Sequence, residues 1–148
     1  MKLDDVGYNL IKSFEGLSLV PYKCQAGIST IGYGNTFYPS SKKVTMQDAP
    51  ISLATAKWML KETADKFAAD VDKMIKANLN QNQFNAIVSL AYNIGLGGLA
   101  KSSLLKKVNA NPSDPTIRNS FLIWNKAGGR VLDGLTKRRT KEANLYFA

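Results

Sequence analysis

Between Ser13 and Thr36 the chain reads SFEGLSLVPYKCQAGISTIGYGNT, where Glu15 is the only carboxylate and Cys24 the only thiol. Cys24 is also the only cysteine of the chain, which has no histidine. It lies nine residues after Glu15, and Thr30 follows six residues later. A carboxyl at a helix end, walled by Phe14 and other apolar residues, has its charged form poorly solvated, which favours a retained proton near neutral pH. If the segment folds back as a hairpin, Cys24 and Thr30 face Glu15. A general acid would then stand beside polar groups able to hold a water or stabilise a developing cation. Singly, each residue has a plainer reading. A helix-end glutamate is usually solvated, a lone cysteine is usually a small core residue, and Gly-x-Gly in a β segment is usually a turn. No lysine–serine pair follows the glycines, which excludes a phosphate loop. One cysteine without histidine gives no metal-ligand set, and no cofactor is expected.

The surrounding pattern supplies elements to position these groups. Leu3, Val6, Leu10, Ile11 and Phe14 form one apolar helical face ending near Glu15–Gly16. Ile28, Ile31 and Tyr33, punctuated by Gly27, Gly32 and Gly34, predict a small β-hairpin or meander over 17–37, followed by a loop. Ser52 is placed to cap a long helix with Ala56, Leu60, Phe67, Val71, Met74 and Ile75 on its apolar face. Phe84, Ile87, Val88, Ala91 and Tyr92 give the clearest helical pattern, with Gly95, Gly97 and Gly98 expected to stop it. Ser102 or Ser103 can cap a short helix through Val108, and Asp114 one through Ile117, Phe121 and Trp124. KAGGRVLDGL reads as a loop, and a last helix is expected over about 136–146. The fold class is therefore α+β: a small β-containing lobe at about 16–51 and a helical lobe from about 1–15 and 52–148. Such chains commonly hold their site in a cleft between lobes.

A chain of 148 residues, 45% hydrophobic and 21% charged, is of ordinary globular composition and builds a real core. No apolar run approaches the roughly 20 residues of a membrane-spanning helix. Asp4 and Asp5 occupy a region where a signal peptide would be basic and then apolar, so a cytoplasmic chain is expected. The net charge of +9 is uneven: +1 over residues 1–75 and +8 over 76–148. The basic half attracts polyanions, whether nucleic acid, acidic wall polymers or anionic lipid. Lys137, Arg138, Arg139 and Lys141 read as a solvated helix face, with attraction to an anionic surface as the functional version.

Read together, the glutamate of FEG, eight residues, a cysteine, five residues, a threonine and then IGYGNT resemble the phage lysozymes of glycoside hydrolase family 24, such as those of T-even and lambdoid phages. That family carries a Glu-x8-Asp/Cys-x5-Thr triad. LNQNQFNAIVSLAYNIGLGGLAKSSLLKKVN is similar to its central and following helices, and FLIWNKAGGRVLDGLTKRRTKEANLYF to its C-terminal region. The resemblance implies a lysozyme-like fold with a cleft between lobes, and cleavage of the β-1,4 bond between N-acetylmuramic acid and N-acetylglucosamine in peptidoglycan. It assigns Glu15 as general acid, Cys24 to the Asp-or-Cys position, and Thr30 to the threonine beside the attacked carbon. Thr36, Tyr92, Asn93 and Ser103 fall at substrate-groove positions, with Trp124 and Arg118 nearby. Members commonly read GYGHT, and Asn35 stands in the histidine place here. The implied partners are peptidoglycan and, for release at lysis, a holin. The chain is expected to act as a monomer without binding nucleic acid.

Taken alone, Tyr92 and Trp124 read as core, and Ser103 as a helix cap as readily as a sugar contact. A lytic transglycosylase on the same scaffold would use Glu15 with attack by the sugar's own hydroxyl, and Thr30 argues for the hydrolase instead. A cationic module binding nucleic acid or acidic surfaces would explain the basic half but leave Glu15, Cys24 and Thr30 idle.

Overall fold

The computed structural model describes residues 1–148. Seven helices and two small antiparallel hairpins follow in the order α1 (Asp5–Phe14), β1 (Ser18–Lys23), β2 (Ser29–Gly32), α2 (Leu53–Met74), α3 (Gln81–Ile94), α4 (Leu96–Lys101), α5 (Ser103–Ala110), α6 (Ile117–Leu122), β3 (Lys126–Ala127), β4 (Arg130–Val131) and α7 (Asp133–Tyr146). They form two compact units, Tyr8–Lys66 and Met1–Gly7 with Phe67–Ala148, and α1 and α2 contribute residues to both. No helix is long and apolar enough to cross a membrane.

In the unit Tyr8–Lys66, β1 pairs with β2 in a register that sets Tyr22 opposite Thr30 and Lys23 opposite Ser29. A bulge then separates that pairing from Ser18 opposite Gly32. The hairpin ends in the three-residue loop Gln25–Gly27: Gly27 N–H donates to the Cys24 carbonyl (2.8 Å) and Cys24 N–H to the Ile28 carbonyl (3.0 Å). The last loop residue of this turn takes a left-handed conformation, and Gly27 supplies it at φ +76°. Ile31, Val44 and Met59 form the buried core beneath the hairpin, with Tyr38 and Ile51 against them. Ser52 caps α2 as expected, its Oγ accepting from Thr55 N–H at 3.0 Å.

In the other unit α3 is the central element. Every residue from Phe84 to Ala91 is buried, so this helix is covered on all sides rather than along one stripe. Its start is fixed by a capping box between Asn80 and Gln83. Asn85 donates to Asp4 Oδ1 (2.7 Å), which also accepts from Gly7 N–H (3.2 Å), tying the first residues to α3. Gly95, at φ +89°, ends α3, but Gly97 and Gly98 lie within α4 instead of stopping a helix. A Cβ on Gly98 would lie 3.5 Å from Trp124 and from Ile94, an ordinary contact, so neither packing nor a left-handed backbone requires the glycine there. The KAGGRVLDGL stretch contains the two-residue strands β3 and β4, turned by Gly128 and Gly129 at φ +58° and +78°. The last helix begins at Asp133, earlier than its apolar pattern suggests.

The basic cluster on α7 departs most from the sequence reading. Arg138 and Arg139 are 4% and 0% exposed and are not part of a solvated face. Glu142, also 0% exposed, lies one helical turn on, 3.3 Å from Arg138 Nε and 3.0 Å from Arg139 Nε. The Arg139 contact is an ion pair without an aligned hydrogen bond. Ser89 Oγ donates to Glu142, and Arg138 Nη2 donates to the Ser89 carbonyl at 3.1 Å, so the charges of α7 are answered by α3. Burial pushes the Glu142 carboxyl up against the pull of the two guanidiniums. Burial likewise brings Arg139 down to about 10, opposed by Glu142 and assisted by Arg138. Removing one partner leaves buried charge uncompensated, which costs about 3–5 kcal/mol. Glu142→Ala is therefore expected to lower the unfolding free energy by about that amount in urea titration. A loss below about 1 kcal/mol would show that the arginines find other partners.

Candidate active site

Glu15 follows the last residue of α1, its N–H donating to the Lys12 carbonyl at 3.3 Å as the helix closes. The side chain is half-buried. What it meets is set by a second tight turn. Ile31 and Asn35 exchange both backbone hydrogen bonds at 2.9 Å, leaving Gly32, Tyr33 and Gly34 as the loop between them. Gly34 adopts φ +79°, and a Cβ built there would lie 3.1 Å from Glu15 Oε2. The carboxyl thus lies where any side chain on residue 34 would press against it, at a backbone conformation that favours glycine.

Asn35 secures this turn. It is 4% exposed, and its Nδ2 donates to Thr63 Oγ1 on α2 at 2.9 Å. Its Oδ1 is buried without a hydrogen-bond partner. The residue in the histidine place is therefore a polar brace between loop and helix.

Cys24 and Thr30 come together at the other end of β2. Thr30 is 3% exposed, and its Oγ1 donates to the Ile28 carbonyl at 2.9 Å. The Cys24 thiol is held below its ordinary value, first by the backbone N–H of Ile28, then by that of Ala26, and to a lesser degree by the Thr30 hydroxyl. The tight turn aims these amides at the sulfur, so the hairpin tip is a thiolate-favouring environment. β2 links the two features, with Thr30 on the strand and the Gly34 turn just beyond its end.

The remaining sequence-predicted positions are distributed as follows. Thr36 is half-buried, and its carbonyl accepts from Val44 N–H at 2.9 Å. Tyr92 is half-buried, with its ring 5.3 Å from that of Phe67. Asn93 is exposed near the end of α3, and its Oδ1 accepts from the buried Arg139 Nη2. Ser103 is exposed at the start of α5, whereas Ser102 performs the capping, accepting from Leu105 N–H at 3.1 Å. Asn93 and Trp124 share the lining of a hollow of about 410 Å³ with Ile94 and Leu132. Arg118 is not in that lining; it donates to Asn144 Oδ1 at 2.8 Å and lies over the Phe147 ring. Two positions escaped the sequence reading. Gly34 was legible only as turn freedom, and the grip of Arg139 on Asn93 has no local sequence signal.

Gly34→Ala and Gly27→Ala separate stability from positioning. Both place a side chain at positive φ, costing about 1–2 kcal/mol each. Nothing lies within 4 Å of the Cβ added at Gly27, whereas that at Gly34 meets Glu15. Similar losses in thermal melts are expected, with a much larger fall in enzymatic activity for Gly34→Ala; equal activities would show that the Glu15 contact is immaterial. The thiol gives a second test through alkylation rates measured against pH. Because hydrogen bonds lower the Cys24 value, the wild-type midpoint should fall below the ordinary 9.0. Thr30→Val removes one donor, so it should move that midpoint upward; an unmoved or lowered midpoint would exclude the hydroxyl's contribution.

A relative from Bacillus phage B103, named an endolysin, is 43% identical over 99% of this chain and 54% of its own length. The chain thus spans about half the length of that relative, and a second Bacillus phage endolysin, from PZA, is covered to the same extent, 55%. The endolysin of Salmonella phage P22 is 31% identical over 100% of this chain and 99% of its own. Among solved structures, the endolysin from Escherichia coli O157:H7 phage FAHEc1 superimposes with a TM-score of 0.89 at 37% identity, covering 99% of this chain and 93% of its own. Residues 12–142, which include Glu15, Cys24 and Thr30, match the phage lysozyme family, and the chain belongs to it.

Proposed function

We propose that the chain is a phage endolysin that hydrolyses the β-1,4 bond between N-acetylmuramic acid and N-acetylglucosamine in bacterial peptidoglycan, lysing the host. The observation that carries this reading is the Glu15 carboxyl against the Gly34 backbone, with the Cys24–Thr30 pair on the adjoining strand, in a phage lysozyme chain.

The mechanism follows from what each group can do. The protonated Glu15 carboxyl gives its proton to the glycosidic oxygen as the bond breaks, and the sugar gains oxocarbenium character. Thr30 orients the attacking water on the opposite face, so the configuration inverts. The single Thr30 hydroxyl proton goes either to the Ile28 carbonyl or to the Cys24 sulfur, so its oxygen retains lone pairs to accept from a water. Cys24 supplies a polarizable sulfur whose anionic form the turn amides favour, suited to stabilising the cation or to taking the water's proton. Thr36, Tyr92, Asn93 and Ser103 are assigned to the sugar chain. Arg139 occupies the Asn93 carbonyl oxygen and so presents the amide nitrogen of Asn93 as a donor. On the same reading the protein acts as a monomer, stays in the host cytoplasm until lysis and reaches the wall through a holin pore.

Digestion of purified peptidoglycan by wild type and Glu15→Gln, with fragments weighed by mass spectrometry, tests the assignment. The wild type is expected to release fragments with reducing ends, and the variant to lose roughly 10²–10⁴-fold in rate while melting normally. Anhydro sugars would move the reaction to transglycosylation. An undiminished Glu15→Gln would remove the general acid.

A further inference from the structure

The unit Tyr8–Lys66 contains a second concave feature that the proposed reaction does not use. It is a hollow of about 510 Å³ between the 38–51 loop and the first turns of α2. Volumes of this order hold one or a few small rings. Its lining includes the apolar or aromatic Tyr38, Pro39, Pro50 and Trp58 together with Ser40 and Lys42. Trp58 is 52% exposed, although it stands on a helix whose neighbouring Met59 is fully buried. An indole left half in water at the mouth of a hollow presents a flat apolar face, with polar donors and acceptors beside it.

The polar groups narrow the choice of ligand. Asp48 also lines the hollow, but its carboxylate already accepts from Tyr38 (2.6 Å), Thr45 Oγ1 (2.6 Å) and Thr45 N–H (3.0 Å). Those bonds hold Asp48 down to about 2, while burial, aided by the Asp48 bond, pushes Tyr38 up to about 12. The pair is thus committed to shaping the loop and does not offer a cation site. The groups left facing the hollow are neutral hydroxyl, an ammonium and apolar surface, which suits a neutral ring with one hydrophobic face and polar edges. The acetamide methyl of an amino sugar adds a small apolar group for the proline-rich wall.

We infer that this hollow is an accessory glycan site, binding an N-acetylated hexosamine of the wall polymer against Trp58. The inference rests on peptidoglycan being the substrate. A long repeating polymer presents the same unit many times, so a second contact on one chain acts at high effective concentration and prolongs residence on the insoluble wall.

The two tryptophans of the chain allow each region to be read separately. In Trp124→Phe the remaining indole is Trp58, and a soluble N-acetylglucosamine oligomer is expected to shift its emission saturably. A glucose oligomer lacking acetamides should not. Trp58→Ala should clear intact walls about two- to tenfold more slowly, the worth of one aromatic contact, while cutting soluble oligosaccharide at the wild-type rate. Trp58→Phe should recover most of the difference. A silent Trp58 emission, an equal response to the glucose oligomer, or wall clearing unchanged in Trp58→Ala would overturn the site. Failure of the glycosidase reading looks different, since wild type would then release no reducing ends from either substrate.

Discussion

The Glu15 carboxyl lies so close to residue 34 that a Cβ there would stand 3.1 Å from Oε2 and press the carboxyl aside, and the turns of the unit Tyr8–Lys66 bear on that constraint. Left-handed glycines at 27, 32 and 34 fold the chain so tightly that a thiol and a hydroxyl meet near one end of β2, while the turn beyond its other end meets the carboxyl that follows α1. A glycine's backbone freedom raises the entropy lost on folding, so the turns need support from elsewhere. Ile31, Val44 and Met59 beneath the hairpin supply apolar burial, and Asn35 ties the turn to α2 through Thr63. The unpaired Asn35 Oδ1 opposes this, because a buried acceptor without a partner costs about 1–3 kcal/mol. Its position inside the turn that carries Gly34 is where such a cost is tolerable, since the same side chain fixes the loop's geometry.

The other unit addresses a different problem. α3 is buried on every side along its middle, so any polar residue there must be answered from a neighbouring helix. Ser89 meets that need by donating to Glu142, and Asn93, one turn on, is met by Arg139. The cluster of Arg138, Arg139 and Glu142 is a weak source of net stability, because desolvation offsets most of the Coulomb attraction. It does fix the rotation of α7 against α3, since a slip of one residue would bury an unpaired charge. Asn93 receives its orientation from that register. A side chain at the surface is thus set by an ion cluster deep in the same unit.

These two arrangements explain how much of the molecule was legible beforehand. The hairpin, α2 with its Ser52 cap, and α3 were readable because periodicity and capping act over a few residues. Gly97 and Gly98 misled because both sit inside α4 without a positive φ, where a helix tolerates glycine, and a one-dimensional reading cannot tell a tolerated glycine from a stop. The arginines of α7 misled for a related reason. A charge run on a helix is normally solvated, and the counter-signal, Glu142 one turn beyond both, is equally common on surfaces. At the candidate site, the spacing of Glu15, Cys24 and Thr30 marked out a stretch whose turns the spacing could not describe. Which amides face the sulfur, and which glycine faces the carboxyl, depends on turn geometry. The hollow beside Trp58 had no sequence signature, because nothing local distinguishes a half-exposed indole from a core one.

Burial of the α7 arginines also changes where the basic character of residues 76–148 resides. Two guanidiniums leave the surface, but Glu142 leaves with them, so the outward field loses only one net positive charge. What remains is carried by exposed lysines such as Lys76, Lys101, Lys106, Lys126, Lys137 and Lys141, with Arg130. Exposed lysines act as solvated point charges and not as bidentate forks, so their attraction to a polyanion is diffuse and screened beyond roughly 8 Å at physiological salt. Such a field accelerates encounter with any polyanion and confers little specificity. Under the proposed function, specificity comes from contacts that require shape: the glycine-bounded turn at Glu15, the hollow lined by Asn93 and Trp124, and the indole at Trp58.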